Sequence, residues 1–354
     1  MDIQISKTTT PKSRPPESEL GFGRFFSDHL FAMDFSADKG WHDARIQPYG
    51  PFQVDPAAGV FHYGQAMFEG SKAFCGDDGV LRLFRPMAHA ERMMAGAPRL
   101  CMPTPSAEQM VEACKALVRV DADWVPKASG TSLYLRPTLI ATEGFLGVRP
   151  ANEYRYFIIA SPVGSYYGGS GLKPVRIWVE TVDVRAPRGG LGAAKAGANY
   201  AASLHAAVKA KKAGFDQVLW LDGQTHELVE EVGTMNLFAL LGNTLITPPL
   251  SDSILAGVTR DSVITLSKDL GLTVEQRALS VKELRAAHAK GDLREVFGTG
   301  TAAVVSPVGE LAFAGETLRI NDGAPGALGL KLYETITGIQ RGALKDAHGW
   351  MVTV

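Results

Sequence analysis

Residues 297–308 read FGTGTAAVVSPV, and the choice between two folds turns on that line. Gly298, Gly300 and Ala303 stand in the spacing GxGxxA behind the strand-like residues REVF (294–297). Alone, that is the fingerprint of a dinucleotide-binding unit, in which the glycines end a strand and open a helix. The residues that follow contradict it. Pro307 arrives four residues after Ala303, and proline has neither the N–H nor the steric room for a helix interior. No long crossover helix can follow, and little chain remains for a second strand–helix–strand unit. A nicotinamide oxidoreductase is therefore disfavoured. The segment reads instead as a Gly/Thr turn whose backbone N–H groups and hydroxyl can hold a phosphate.

Working outward, three further clusters invite chemistry. Gly257-Val258-Thr259-Arg260 stands just before a helical stretch, where unpaired N–H groups stabilise an anion; the plainer reading is that Thr259 caps the helix. GGLGAAKAGANY (189–200) places a single lysine, Lys195, among small apolar residues, without the GK[ST] of a P-loop. Desolvation disfavours an ammonium, and a neutral amine can form a Schiff base with a carbonyl; the alternative is a surface lysine on a glycine loop. In EEVGTMNLF (230–238) two acids precede an apolar strand. They are solvated turn residues, or one is buried against a ring nitrogen, as a pyridoxal phosphate electron sink requires.

Composition limits what the chain can be. Its 354 residues suggest about two domains. With Lys plus Arg at 36 and Asp plus Glu at 37, the net charge is −1, which offers no global electrostatic attraction to nucleic acid or an anionic membrane. Hydrophobic residues make up 45%, enough for a sizeable core. Glycine is 38 of 354, about 11% against an average near 7%, and clustered as in ligand-binding turns. The three cysteines, Cys75, Cys101 and Cys114, form no CxxC and no Cys/His ligand spacing, so no metal is expected. No stretch approaches the ~20 apolar residues of a membrane span, and the N-terminus lacks a signal-like apolar run. A soluble cytoplasmic protein is expected.

Residues 1–20 read as a flexible arm, 21–163 as a first domain, 164–174 as an interdomain loop containing GSYYGGSG (164–171), and 175–354 as a second domain. Ser106 with Gln109 has the form of a capping box ahead of the helical stripe Met110, Cys114 and Leu117. Strands are expected at 132–139 and 154–161. In the second half, helices ending at Gly214, Gly271 and Gly291 alternate with strands. By itself this alternation suggests a doubly wound α/β domain.

Taken in order, GQAMFEGSKAF (64–74), AERM (90–93), LYLRPTLIATE (133–143), AKAGANYAAS (194–203), EEVGTMNLF, GVTRDSVI (257–264) and FGTGTAAVVSPV resemble the branched-chain aminotransferases of pyridoxal-phosphate fold type IV. The resemblance runs from about residue 20 to the C-terminus. It implies a two-domain α+β / α/β fold, with a small α/β domain and a larger domain built around a barrel-like sheet, in place of the doubly wound arrangement.

The resemblance also implies the roles. Lys195 would bond to pyridoxal 5'-phosphate and shuttle the proton, Glu231 would pair with the pyridine nitrogen, and Tyr200 would hydrogen-bond the phenolic oxygen. Arg92, Val258, Thr259 and Thr301 would hold the phosphate. Thr234 and Ala302 would bind the substrate α-carboxylate. Phe68, Tyr134, Tyr166 and Tyr200 would make an aromatic pocket, with Tyr167 the alternative to Tyr166, and Tyr63 and Arg136 would meet the γ-carboxylate of glutamate. Leu146 and Val148 would reach into the partner's site of a homodimer. The implied reaction transfers the amino group of L-Leu, L-Ile or L-Val to 2-oxoglutarate by ping-pong kinetics. Spacing from Thr234 favours Glu231 over Glu230. Where some relatives carry a CxxC pair after the GxGTA turn, this chain has Ala303 and Ser306. A D-amino-acid aminotransferase, an aminodeoxychorismate lyase and a non-catalytic amino-acid-binding protein are the competing readings.

Overall fold

The computed structural model describes residues 1–164 and 172–354. The chain divides into two compact units. One comprises Met1–Gly168, Ala194–Gly197 and Thr337–Val354; the other comprises Gly169–Ala193 and Ala198–Ile336. Most of the expected interdomain loop, and Tyr166 with its alternative Tyr167, lie outside the described residues.

The first unit contains β1 (Gln4–Ile5), β2 (His29–Ser36), β3 (Gly40–Pro48), α1 (Gly59–Tyr63), β4 (Ala66–Phe68), β5 (Ser71–Cys75), β6 (Leu81–Phe84), α2 (Pro86–Gly96), α3 (Ala107–Val120), β7 (Ser132–Ala141) and β8 (Glu153–Val163). The sheet runs β1-β3-β2-β8-β7-β5-β6 and ends on the C-terminal strand Met351–Thr353, with β4 also paired to β7. Strand alternation gives β7 two faces. Leu133, Leu135, Leu139 and Ala141 join the core beside Met93 of α2 and Met110 and Leu117 of α3. Tyr134, Arg136 and Thr138 fall on the other face. The Ser106 hydroxyl accepts from the Gln109 N–H while the Gln109 side chain accepts from the Ser106 N–H, which completes the expected capping box of α3. Residues 1–20 are tied to this unit: Gln4 and Ile5 pair with Arg45 and Ile46, and the Thr8 N–H donates to His29 Nε2 at 2.9 Å.

The second unit contains β9 (Val175–Val179), α4 (Gly197–Lys212, all but its first residue), β10 (Gln217–Leu221), β11 (Val229–Val232), β12 (Met235–Leu241), β13 (Thr244–Thr247), α5 (Val258–Asp269), β14 (Thr273–Gln276), α6 (Val281–Ala289), β15 (Leu293–Gly300), β16 (Val304–Phe313), β17 (Glu316–Arg319) and most of α7 (Ala327–Gln340). Its sheet order is β11-β10-β9-β16-β15-β12-β13-β14, and β11 also pairs with β12. That extra pairing closes β9, β10, β11, β12, β15 and β16 into a barrel-like ring, which removes their open edges. Among the described residues only β9–β10, β9–β16 and β13–β14 are parallel pairs in this sheet, so the doubly wound arrangement suggested by the helix–strand alternation is not formed there. Gly214, Gly271 and Gly291 end α4, α5 and α6 at φ of 86°, 78° and 77°, a left-handed turn that glycine adopts without strain. No helix among the described residues is long and apolar enough to cross a membrane.

Candidate active site

The Gly/Thr segment at 297–308 is a hairpin. β15 and β16 pair antiparallel from Phe297↔Pro307 to Gly300↔Val304, so residues 301–303 are the turn and Pro307 lies within a strand. No helix follows the glycines, and a dinucleotide has no helix N-terminus there to bind.

In the first unit, the segment 194–197 lies along β4. The Phe68 N–H donates to the Lys195 carbonyl at 3.0 Å, and Met67 forms a bridge with Ala196. This backbone pairing fixes Lys195, whose Nζ sits 4.7 Å from the centre of the Phe68 ring. Phe68 pairs with Thr138 of β7, so it shares a face with Arg136 and Tyr134. The Arg136 guanidinium lies 4.6 Å from the Phe68 ring and donates to the Tyr134 hydroxyl at 3.1 Å. A Cβ on Gly70 would fall 1.9 Å from that hydroxyl, so only glycine leaves Tyr134 its place. Tyr63, at the end of α1, donates to the Leu146 carbonyl. Leu146 and Val148 are 60% and 86% exposed, unusual for large apolar side chains.

Arg92 reaches from α2 to a residue that sequence reasoning passed over. Its Nε and Nη2 each donate to Glu69 at 2.7 Å, a two-pronged pair in which Glu69 is only 1% exposed. His89 Nδ1 lies 3.2 Å from the same carboxylate. Burial opposes the charge of Glu69, but Arg92 overrides it and holds the carboxyl far below its usual range. Glu69 stands inside the quoted FEG motif, yet nothing local marks it as the partner of an arginine 23 residues away.

In the second unit, an open cleft of about 360 Å³ is lined by Tyr200, Glu231 and Thr234 together with Arg185, Asn199 and Asn236. Alternation along β11 separates its two acids. Glu231 Oε1 accepts from the Leu255 N–H at 2.8 Å and lies 3.4 Å from Asn236 Nδ2, while Oε2 is 3.1 Å from Arg185 Nε. Glu230 instead accepts from the Ser253 hydroxyl at 2.5 Å, and burial pushes its carboxyl up. Both are buried, so neither is a solvated turn residue. Asn236 Nδ2 also donates to the Leu255 carbonyl at 2.8 Å, which ties the loop before α5 to β12. Val258 and Thr259 begin α5, and no side chain caps that helix at Gly257. Gly300 lies near the Thr234 carbonyl and Met235, so Thr301 and Ala302 follow beside them in the turn. Arg185 and Asn236 were missed because nothing in TVDVRAPRGG or in an apolar strand announces a carboxylate partner.

The profile of the Amino-transferase class IV family matches residues 67–311. Over 99% of its length the chain is 53% identical to branched-chain-amino-acid aminotransferase 2 of Bacillus subtilis strain 168, of which it covers 97%. Its fold is similar to the crystal structure of the Escherichia coli branched-chain amino acid aminotransferase, with a TM-score of 0.77, 27% identity and coverage of 92% of this chain and 98% of that one. The branched-chain aminotransferase of the thermophilic archaeon Thermoproteus uzoniensis, solved with norvaline, aligns with a TM-score of 0.76 and 26% identity over 92% of this chain and 99% of that one.

Proposed function

The chain belongs to the class IV aminotransferase family, and from that premise we propose that it is a pyridoxal-phosphate-dependent transaminase moving the amino group of L-leucine, L-isoleucine or L-valine to 2-oxoglutarate. The observation that carries the chemistry is Glu231. A buried carboxylate, ion-paired and hydrogen-bonded in a cleft beside Tyr200 and Thr234, suits a cationic ring nitrogen. The start of α5, where the N-cap residue is a glycine with no capping side chain, suits a phosphate. The residues therefore fit the cofactor.

Bound pyridoxal phosphate supplies an electron sink for the bond broken at the substrate Cα. The side chains do the rest. Lys195 would hold the cofactor until the substrate amine displaces it, and its freed neutral Nζ would then accept the Cα proton. Glu231 keeps the pyridine nitrogen protonated, and Tyr200 donates to the phenolic oxygen. Arg92, Val258, Thr259 and Thr301 bind the phosphate, Arg92 with a guanidinium oriented by Glu69. Thr234 and Ala302 bind the α-carboxylate. Phe68, Tyr134, Tyr200 and Tyr166 exclude water from a branched side chain, and Arg136 with Tyr63 meets the second carboxylate of glutamate. The protein works as a cytoplasmic homodimer in which Leu146 and Val148 approach the partner's site.

The test is an absorbance spectrum of the purified protein. The cofactor band should fade with L-leucine alone and return with 2-oxoglutarate, and initial rates should give the parallel lines of ping-pong kinetics. Lys195→Ala should abolish turnover while retaining some cofactor. A protein without a cofactor band after incubation with pyridoxal phosphate would refute the proposal.

A further inference from the structure

Arg185 is 8% exposed, lines the second unit's cleft beside Glu231, and makes three contacts. Its Nε faces Glu231 Oε2 at 3.1 Å as an ion pair rather than an aligned hydrogen bond. Its Nη2 donates to the Gly192 carbonyl at 3.0 Å and to the Ser253 carbonyl. One guanidinium therefore joins the carboxylate to two loops. The first runs on to Lys195 and the second to Val258 and Thr259 at the start of α5.

A second observation shows that this junction is built. A Cβ on Gly192 would stand 2.4 Å from the Ser253 backbone, so glycine alone permits the two loops to touch. The Ala193 N–H donates to the Asp252 carbonyl at 2.9 Å and closes the same contact. The other oxygen of Glu231 is held by the Leu255 N–H, from the very loop that Arg185 grips. A buried carboxylate needs a compensating charge and full hydrogen bonding, and here both come from groups that also set the loops.

We propose that Arg185 is a positioning residue for the cofactor: it neutralises and aims Glu231 while locking the ring-nitrogen partner to the loops that lead to the lysine and to the phosphate-binding helix end. This rests on the function proposed above and goes beyond it, because Arg185 need not touch the cofactor. Its effect passes through Glu231. Lysine in its place would keep the charge but lose the fork that reaches two carbonyls.

The experiment is a double-mutant cycle on the full-length protein, read by pyridoxal phosphate affinity in equilibrium dialysis and by visible circular dichroism of the bound cofactor. Arg185→Gln should weaken affinity about tenfold in the Glu231 background and diminish the dichroic band, with less than about a threefold change when Glu231 is already Gln. Arg185→Lys should recover part of both signals. Equal losses in the two Glu231 backgrounds, or none in either, would overturn the inference and leave the proposed function standing. Should Arg185→Gln fail to fold, the cycle is run with Arg185→Lys and judged by the same coupling. A wild-type protein that binds no pyridoxal phosphate would refute both the function and this inference.

Discussion

Glu69 shows how much a single buried charge can organise. It is nearly inaccessible, and it keeps its charge because two arginine nitrogens and a histidine surround it. Burial is the main reason that the neighbouring His89 imidazole is pushed below its ordinary value. Both groups therefore take up protons more readily in the unfolded chain than in the folded one. Their contribution to stability is complete above the unfolded values and is lost as pH falls, for His89 from about 6.5 and for Glu69 from about 4.3. Breaking the pair by Glu69→Gln should cost about 3–5 kcal/mol, since Arg92 is left without its counter-charge. In urea unfolding the gap between wild type and Glu69→Gln should be widest above about pH 5 and narrow below about pH 4. A gap that widens in acid would contradict the assignment.

At the scale of elements, two local rules give sharp expectations. The capping box at the start of α3 satisfies two backbone groups at once, so Ser106→Ala should lower stability by about 1 kcal/mol in chemical denaturation, and Ser106→Asp by much less. This helix was legible because both partners of the box lie within four residues of each other. On β11 the period of two decides which acid faces the cleft. Glu231→Gln should strip the cofactor band and turnover by two orders of magnitude or more. Glu230→Gln, which touches Ser253 instead, should leave the band in place and change the rate by less than about threefold. Sequence spacing pointed to Glu231, but it could not show that Glu230 is buried too, because that depends on Ser253 arriving from 23 residues away.

For the whole molecule, the exposed apolar side chains of the 145–148 loop bear on assembly. Phe145 at 44%, Leu146 at 60% and Val148 at 86% exposure expose more apolar surface than one short loop usually leaves in water. In the homodimer proposed here a second copy covers them. Val148→Asp should shift sedimentation toward the monomer, or raise the KM for L-leucine with little change in cofactor affinity. An unchanged sedimentation profile together with unchanged kinetics would place that loop outside any working interface.

Much of this was settled along the chain. Gly214, Gly271 and Gly291 end helices, Ser106 begins one, and the ordered motifs identify the family, because caps, turns and motif spacing are local properties of consecutive residues. Pro307, with the little chain that follows it, disfavoured the dinucleotide fold, since no neighbour can restore a missing N–H. Helix–strand alternation misled about the second half because it carries no record of which strands pair. The β11–β12 contact that closes the ring and the parallel pairs at β9 arise only when the sheet assembles. The same holds for the charged partners. Arg92 finds Glu69, and Arg185 reaches Glu231 and a carbonyl 68 residues distant. Sequence names the residue types that chemistry needs, whereas the compensation of a buried charge is a contact in space, decided by tertiary packing.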